Sequence, residues 1–433
     1  MTATSSTLKI LTVNPSPGAV SFPALENIRL AAERLKNVVP RTPFTLNANL
    51  SERYGTSVYL KREDQQIVRS YKVRGAYNKM VGLSKEELQK GVVCASAGNH
   101  AQGVAFACRK MEVKGTIFMP TTTPTQKVQQ VGMFGKNWVD IRLTGDTFDD
   151  SYKASLEFCE QTRSIFVHPF DDMSVIEGQG TVGLEILEDA GFNIDYLILP
   201  VGGGGLAAGV STVFRQLSPA TRIIGVEPEG APALLESLKA GKVVELSEID
   251  KFVDGAAVKR VGNQTFAICR ENLDDVILVP EGKVCTAILQ LYNEEAIVAE
   301  PAGALSVAAL DLLKDKIAGK NVVVVISGGN NDITRTEEIR ERSMLYEGLK
   351  HYFIIRFPQR AGALREFLNV LGPDDDIARF EYIKKTNREQ GPAMVGIELK
   401  RREDYQPLIS RMKNADIVFE YVNDQPDLFR FLV

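Results

Sequence analysis

The sequence is poor in the residues from which metal centres and disulfide frames are built. It has three histidines (His100, His168, His351) and five cysteines (Cys94, Cys108, Cys159, Cys269, Cys285) among 433 residues. No histidine pairs with a cysteine or carboxylate at a zinc-like spacing, which sets aside a histidine-based metal site and leaves no metal expected. The cysteines are odd in number, dispersed and mostly in apolar surroundings. They read as free thiols of a reducing cytoplasm rather than as a disulfide frame. Runs of about eighteen apolar residues are also missing, so no membrane span is expected. Residues 1–20 carry one short apolar patch at Ile10–Val13 but neither a basic lead nor a long apolar core. They read as a mobile tail rather than a signal peptide. Excess positive charge is lacking too: Lys and Arg number 51 against 55 Asp and Glu, for a net charge of −4. Nucleic acid and anionic membranes are therefore poor partners, and small-molecule chemistry is the default.

A chain of this length exceeds one ordinary domain, and its pattern divides. From about Val58 to Ile326, short apolar runs (91–95, 116–120, 196–201, 223–226, 321–326) alternate with helix-period segments (102–111, 125–134, 149–162, 205–216, 285–295). Apolar strands buried on both faces, repeated with helices, predict an α/β unit with parallel-rich sheets. A charged helix is expected at 334–342. Beyond Lys350 the order becomes strand 352–357, helix 363–371, strands 377–384 and 393–399, helix 404–412 and strand 418–421. That βαββαβ order predicts a small antiparallel α+β unit with two helices on one face. The expected domains are a tail at 1–24, a catalytic unit at 25–342 and a second unit at 350–433. Asp374-Asp375-Asp376 reads as a solvated turn.

Four ordered motifs carry the chemistry. Ser70-Tyr71-Lys72-Val73-Arg74-Gly75-Ala76 sets one lysine between an aromatic ring and small residues. An amine so placed forms a Schiff base with an aldehyde when its surroundings lower its pKa; the plain alternative is a surface lysine on a helix. Ser96-Ala97-Gly98-Asn99-His100-Ala101-Gln102-Gly103 and Ser327-Gly328-Gly329-Asn330 each follow an apolar strand, where such folds place ligands. The run Gly202-Gly203-Gly204-Gly205-Leu206 fails both nucleotide patterns: Leu206 stands where a dinucleotide loop needs glycine, and no lysine follows Gly209. What remains is a strand running into side-chain-free amides and a helix start, a cradle for one phosphate. A flexible turn is the minority reading, because ordering four glycines is entropically costly.

In that order and spacing the four motifs resemble those of the fold type II pyridoxal-phosphate enzymes, and within them the threonine dehydratases; 252–258 and Glu300-Pro301-Ala302-Gly303-Ala304 sharpen the likeness. The resemblance implies a two-lobed catalytic domain followed by an ACT-like regulatory domain. It implies pyridoxal phosphate on Lys72, with the same amine later acting as base at the substrate Cα, and Tyr71 lining the ring where the family commonly has phenylalanine. It also implies phosphate binding by Gly202, Gly203, Gly204, Gly205 and Leu206, a hydrogen bond from Asn99 to the ring hydroxyl, and Ser327 beside the ring nitrogen. A neutral hydroxyl there makes a weaker electron sink than an acid, which favours prompt loss of a β-leaving group. Ser96, Asn99 and Gln102 are expected to hold the substrate carboxylate.

The implied reaction turns L-threonine, and also L-serine, into an oxo acid and ammonia; for threonine this is the first step of isoleucine synthesis. Arg360-Ala361-Gly362-Ala363-Leu364 lies between the first strand and helix of an ACT-like unit, so isoleucine inhibition opposed by valine is expected. The alternative is an oligomerisation module without ligand. A cytoplasmic homodimer or homotetramer is expected. The rival activities are serine dehydration and serine racemisation, and a different class would be an amino-acid sensor that kept the fold and lost catalysis. Serine racemases carry a cation site in a loop resembling 225–233, but Ala233 stands where an acidic ligand would be needed beside Glu227. Glu300 reads as a cap for the helix after Pro301 in preference to a group oriented toward the cofactor.

Overall fold

A computed structural model describes residues 22–383 and 389–425; the tail expected at 1–20 lies outside them. Among the described residues, fourteen strands form three sheets. The largest contains β1 (Phe44–Leu46), β2 (Ser57–Arg62), β7 (Tyr196–Pro200), β8 (Arg222–Pro228), β9 (Asp275–Val279) and β10 (Asn321–Ile326), in the order β1-β2-β10-β7-β8-β9. Only β1 runs antiparallel. The valine-rich β10 lies inside this sheet with Val322 to Ile326 all buried, as a strand covered on both faces requires. A second sheet, β5-β4-β3-β6, is wholly parallel and joins β3 (Val92–Ala95), β4 (Gly115–Met119), β5 (Val139–Leu143) and β6 (Ile165–Phe166).

These two sheets form the two lobes, and the motif loops leave their carboxyl ends. Ser96 follows β3, Gly202 follows β7, and Ser327 follows β10. The lobes are pinned together where helices cross at glycine. A Cβ on Gly178 would lie 2.7 Å from the Arg74 carbonyl oxygen, and one on Gly103 would lie 3.2 Å from that of Lys72. Helices Met173–Asp189 and Asn99–Met111 can thus approach the helix Lys72–Val81 backbone to backbone.

The C-terminal unit contains β11 (Lys350–Pro358), β12 (Asp376–Tyr382), β13 (Gln390–Glu398) and β14 (Phe419–Tyr421), antiparallel in the order β12-β13-β11-β14. With helices Ala363–Leu368 and Tyr405–Asn414 it is the expected βαββαβ unit. Its core, including Phe353, Phe367, Val395, Leu408 and Met412, is a cluster of its own. An ionic knot ties it to the helix Thr336–Tyr346. Lys350 pairs with Glu341 and, at 3.2 Å, with Glu398, which Arg340 also holds at 2.6 Å. The Tyr352 hydroxyl donates to Glu341 at 2.5 Å. The Asp374–Asp376 turn is solvated at Asp374 and Asp376 as expected, but the Asp375 carboxylate is buried and accepts from the Gly372 amide and from Arg411, because it closes the turn against the helix Tyr405–Asn414.

Candidate active site

Lys72 opens a helix whose position is set from both sides. Before it, Ser70 bridges to Gly328 and the Tyr71 amide donates to the Ser327 carbonyl at 3.2 Å, which joins the lysine turn to the end of β10. After it, Arg74 is fully buried and grips Glu63 through two bonds of 2.8 Å and Glu185 through bonds of 2.6 and 2.9 Å. Lys61 adds 2.6 Å to Glu185. The lysine amine is half-buried rather than on a free helix face. It donates to the Pro169 carbonyl at 3.1 Å and lies 5.3 Å from the centre of the Tyr71 ring. Burial pushes its pKa down to about 8, against an opposing pull from the Glu300 carboxylate.

The glycine run has the form of an anion cradle. Among the described residues, the amides of Gly202 to Leu206 donate to no acceptor, while the carbonyls of Gly203 and Gly204 are turned away and held by Thr265 Oγ1 at 2.6 Å and the Ala208 amide at 2.8 Å. Gly204 has φ +90°, and a Cβ there would meet Thr265 at 2.9 Å; one on Gly203 would enter the Phe170 ring. The helix Gly205–Leu217 begins on this turn, so its first amides and its dipole point at the same spot.

The loop after β3 starts a second helix. Gly98 precedes the helix Asn99–Met111, and the Ser96 hydroxyl accepts from the Gly98 amide at 3.3 Å. The amides of Asn99, His100 and Ala101 meet no described acceptor. Gln102 is buried, with its side-chain nitrogen on Gln130 at 2.9 Å and its side-chain oxygen unpaired. Asn99 Nδ2 donates to Glu300 Oε1 at 2.6 Å, and Asn330 Nδ2 donates to Asn99 Oδ1 at 2.5 Å. Ser327 is buried at the end of β10, with its hydroxyl 3.2 Å from the Ala302 carbonyl. Lys72, Tyr71, Asn99 and Ser327 thus meet through Glu300, Asn330 and the turn at Gly328.

Glu300 corrects an expectation. It is the residue before the helix Pro301–Ala308, yet its carboxylate accepts no hydrogen bond from the helix amides. Asn99 takes that carboxylate instead, because the chain turns it back against Gly328 and Gly255. Burial, aided by Asp254, raises its pKa to about 7. Glu227 behaves in the opposite way: its buried carboxylate caps the helix Ala233–Ala240 through the Leu234 and Leu235 amides at 2.7 and 2.9 Å.

Several residues that shape the site carry no motif. His168 Nδ1 accepts the amides of Phe170 and Asp171 at 3.2 and 2.8 Å, curling the chain so that Pro169 reaches Lys72. The Asp171 carboxylate then takes the amides of Asn263, Gln264 and Thr265 at 2.9 to 3.2 Å and so orients Thr265 toward the glycine turn. Their only signal in sequence is His168 and Asp171 directly after an apolar strand.

The donor set fits a phosphorylated pyridine aldehyde. A half-buried amine of lowered pKa suits a carbonyl carbon, and unpaired glycine amides at a helix start suit a phosphate. A buried hydroxyl at Ser327 suits a ring nitrogen, and the buried Ser70 hydroxyl, which has no partner, adds an unsatisfied donor at the same turn.

Comparison with known proteins agrees with this chemistry. Residues 35–328 match the family model described as pyridoxal-phosphate dependent enzyme, and residues 341–432 match the C-terminal regulatory domain of threonine dehydratase. The chain is 59% identical over 410 residues to the biosynthetic L-threonine dehydratase of Halalkalibacterium halodurans, covering 94% of this chain and 99% of that protein. It is 60% identical to that of Bacillus subtilis, covering 94% and 97%. Among solved structures it resembles the processed form of threonine deaminase isoform 2 from Solanum lycopersicum, with TM-score 0.70 and 40% identity over 77% of this chain and 99% of that one. It also resembles the serine racemase of Dictyostelium discoideum, with TM-score 0.67 and 34% identity over 73% and 100%. The chain therefore belongs to the pyridoxal-phosphate dependent enzymes and, within them, to the biosynthetic threonine dehydratase family.

Proposed function

We propose that this chain converts L-threonine to 2-oxobutanoate and ammonia, takes L-serine as a second substrate, and supplies the first step of isoleucine synthesis in the cytoplasm. The reading rests on one observation above the others: a lysine amine of lowered pKa is tied to the glycine turn through Pro169 and the adjoining Phe170, and to Ser327 through the Tyr71 amide. The identity to the dehydratases of Halalkalibacterium halodurans and Bacillus subtilis supports the choice of substrate.

When bound, pyridoxal phosphate supplies an electron sink for the pair left at the substrate Cα. The amides of Gly202, Gly203, Gly204, Gly205 and Leu206 would hold its phosphate, Tyr71 would flank its ring, Asn99 would donate to its ring hydroxyl, and Ser327 would meet its ring nitrogen. Lys72 would hold it through Nζ between turnovers. During turnover that amine is free and neutral near pH 8, so it takes the Cα proton of the substrate. Ser96, Asn99 and Gln102 would hold the substrate carboxylate at the start of the helix Asn99–Met111, where the Asn99, His100 and Ala101 amides meet no described acceptor and favour negative charge. The neutral Ser327 hydroxyl, which donates to the Ala302 carbonyl here, would turn to the ring nitrogen without fixing a proton on it, a weak electron sink that would favour prompt loss of the β-hydroxyl as water, with the proton that Lys72 took from Cα. One water departs in the elimination and one returns in the hydrolysis that releases ammonia, so the net products balance the substrate.

The catalytic unit is assigned to 25–342 and the regulatory unit to 350–433, with isoleucine as inhibitor, valine as its antagonist and a homodimer or homotetramer as the assembly. The deciding experiment is Lys72→Ala in the full chain. Loss of both the visible cofactor absorbance and threonine turnover is expected, and normal turnover in that variant refutes the assignment.

A further inference from the structure

We infer that Glu300 is a positioning residue that fixes which end of the Asn99 carboxamide faces the cofactor, so that Asn99 presents an N–H donor and not its carbonyl oxygen. The inference rests on the assignment of Asn99 as a ligand of the ring hydroxyl. A carboxamide alone has no preferred end, and its orientation is decided by its neighbours. Here the chain of neighbours is anchored on a group that can only accept. Asn330 points one side-chain atom at the backbone carbonyl of Val68, 2.9 Å away, so that atom is its nitrogen. The second hydrogen of the same nitrogen goes to the facing atom of Asn99 at 2.5 Å, which must therefore be oxygen. The Asn99 nitrogen is then the atom 2.6 Å from Glu300 Oε1, and one of its two hydrogens remains free.

Glu300 itself is held in place. Its backbone amide donates to the Gly328 carbonyl at 3.1 Å, and Pro301 begins a helix directly after it. Its carboxylate lies against two glycines: a Cβ on Gly328 would come within 2.1 Å of Oε1, and one on Gly255 within 3.6 Å. The Asn330 backbone amide also favours the ionised form of that carboxylate. Glu300 and Asn330 thus brace both ends of Asn99, and the buried Asn330 oxygen is left without a partner. That unsatisfied oxygen is what donating twice costs Asn330.

The test is a double-mutant cycle on the affinity of the full chain for pyridoxal phosphate, read together with the position of the visible absorbance. Asn99→Ala should weaken binding about tenfold, the size of one charge-assisted hydrogen bond, and move the absorbance. Glu300→Ala should do the same, and the double variant should bind within about twofold of N99A, because Glu300 acts through Asn99. Glu300→Gln keeps an oxygen that accepts from Asn99 and should stay within about threefold of the parent. Losses that multiply to about a hundredfold in the double variant overturn the inference, and so does an unchanged spectrum and affinity in E300A. If N99A itself binds like the parent, the assignment of Asn99 falls and takes the inference with it. Should E300A not fold, Asn330→Ala removes the other brace and is measured in the same cycle against N99A: a double variant close to N99A supports the bracing, and multiplied losses overturn it.

Discussion

Arg74→Ala tests how the helix that carries Lys72 is held. The guanidinium fills its donor sites with Glu63, Glu185 and Thr181, all within 3.1 Å, and the residue is buried. Truncation leaves Glu63, itself fully buried, with Thr42 at 2.6 Å and Gln66 at 3.3 Å as its remaining partners. Breaking one side of a buried ion pair costs about 3–5 kcal/mol. For a unit the size of 35–328, an unfolding entropy of about 2.1 cal/mol/K per residue turns that into a fall of about 5–8 °C. Calorimetry of the holoenzyme at one scan rate measures it. Arg74→Lys keeps the charge but not the paired geometry and should recover only part of the loss. The acid limb gives a second readout. Burial opposes ionisation of Glu185, but Arg74 and Lys61 outweigh it and hold the pKa below the ordinary value. That stabilisation is complete above the ordinary carboxylate range and disappears as the pH falls through the lowered pKa, so R74A should flatten the drop there. A variant that melts within about 1 °C of the parent would refute the claim that this network carries the lysine helix.

Gly204→Ala should lower cofactor affinity about tenfold or more, since it combines a backbone at φ +90° with a Cβ 2.9 Å from Thr265; parental affinity would contradict the cradle. Burial lowers the His168 pKa to about 4 against Asp171 and Asp172, with Lys72 adding to burial. Its stabilisation is therefore whole above about 6.5 and is lost as the pH falls toward 4, and the parent's melting temperature should drop more steeply over that window than that of H168N. Equal slopes would show that the loop does not depend on a neutral imidazole. Lys350→Met, at the knot between the units, should leave turnover of threonine without effector within about twofold and cut the proposed isoleucine inhibition at least fivefold, the low end of ordinary coupling energies. Undiminished inhibition would place the coupling elsewhere.

The order of the fold was legible because its strands are buried on both faces and its helices are amphipathic, and boundaries slipped where that signal is weak. The helix expected from Cys285 begins a turn earlier, at Glu281, because its first turn is polar: Glu281 takes the Gly230 amide at 2.8 Å and Lys283 pairs with Asp311. The strand expected from Ala393 reaches back to Gln390 through Pro392. Pairing with β12 ends at Ala393, so in the described residues the proline sits where β11 is its only partner. The helix Met173–Asp189 had no clear pattern, since Gly178, Gly180 and Gly183 argue against a helix on propensity. Each is needed where another backbone or side chain crosses: Gly178 meets Arg74 and Gly75, Gly180 meets Gly209, and Gly183 meets Val210 and Val213.

The site divides along the same line between local and distant causes. Lysine, glycine run and strand-end loops are legible because each does its work within a few residues: a free amide or an amine at a helix start follows from local chain geometry. What tunes them is far away in sequence. Glu300 meets Asn99 across 201 residues, Arg74 meets Glu185 across 111, and Thr265 holds the Gly203 carbonyl across 62. Local rules gave Glu300 a capping role because a carboxylate beside Pro301 normally serves the helix it precedes. The tertiary fold offered it a better donor, the Asn99 side chain. The same residue then raises the pKa of Lys72 against burial. The reactivity of the lysine is therefore a balance between a motif that buries it and a carboxylate that the other lobe brings to it, and only the first half of that balance is written near position 72.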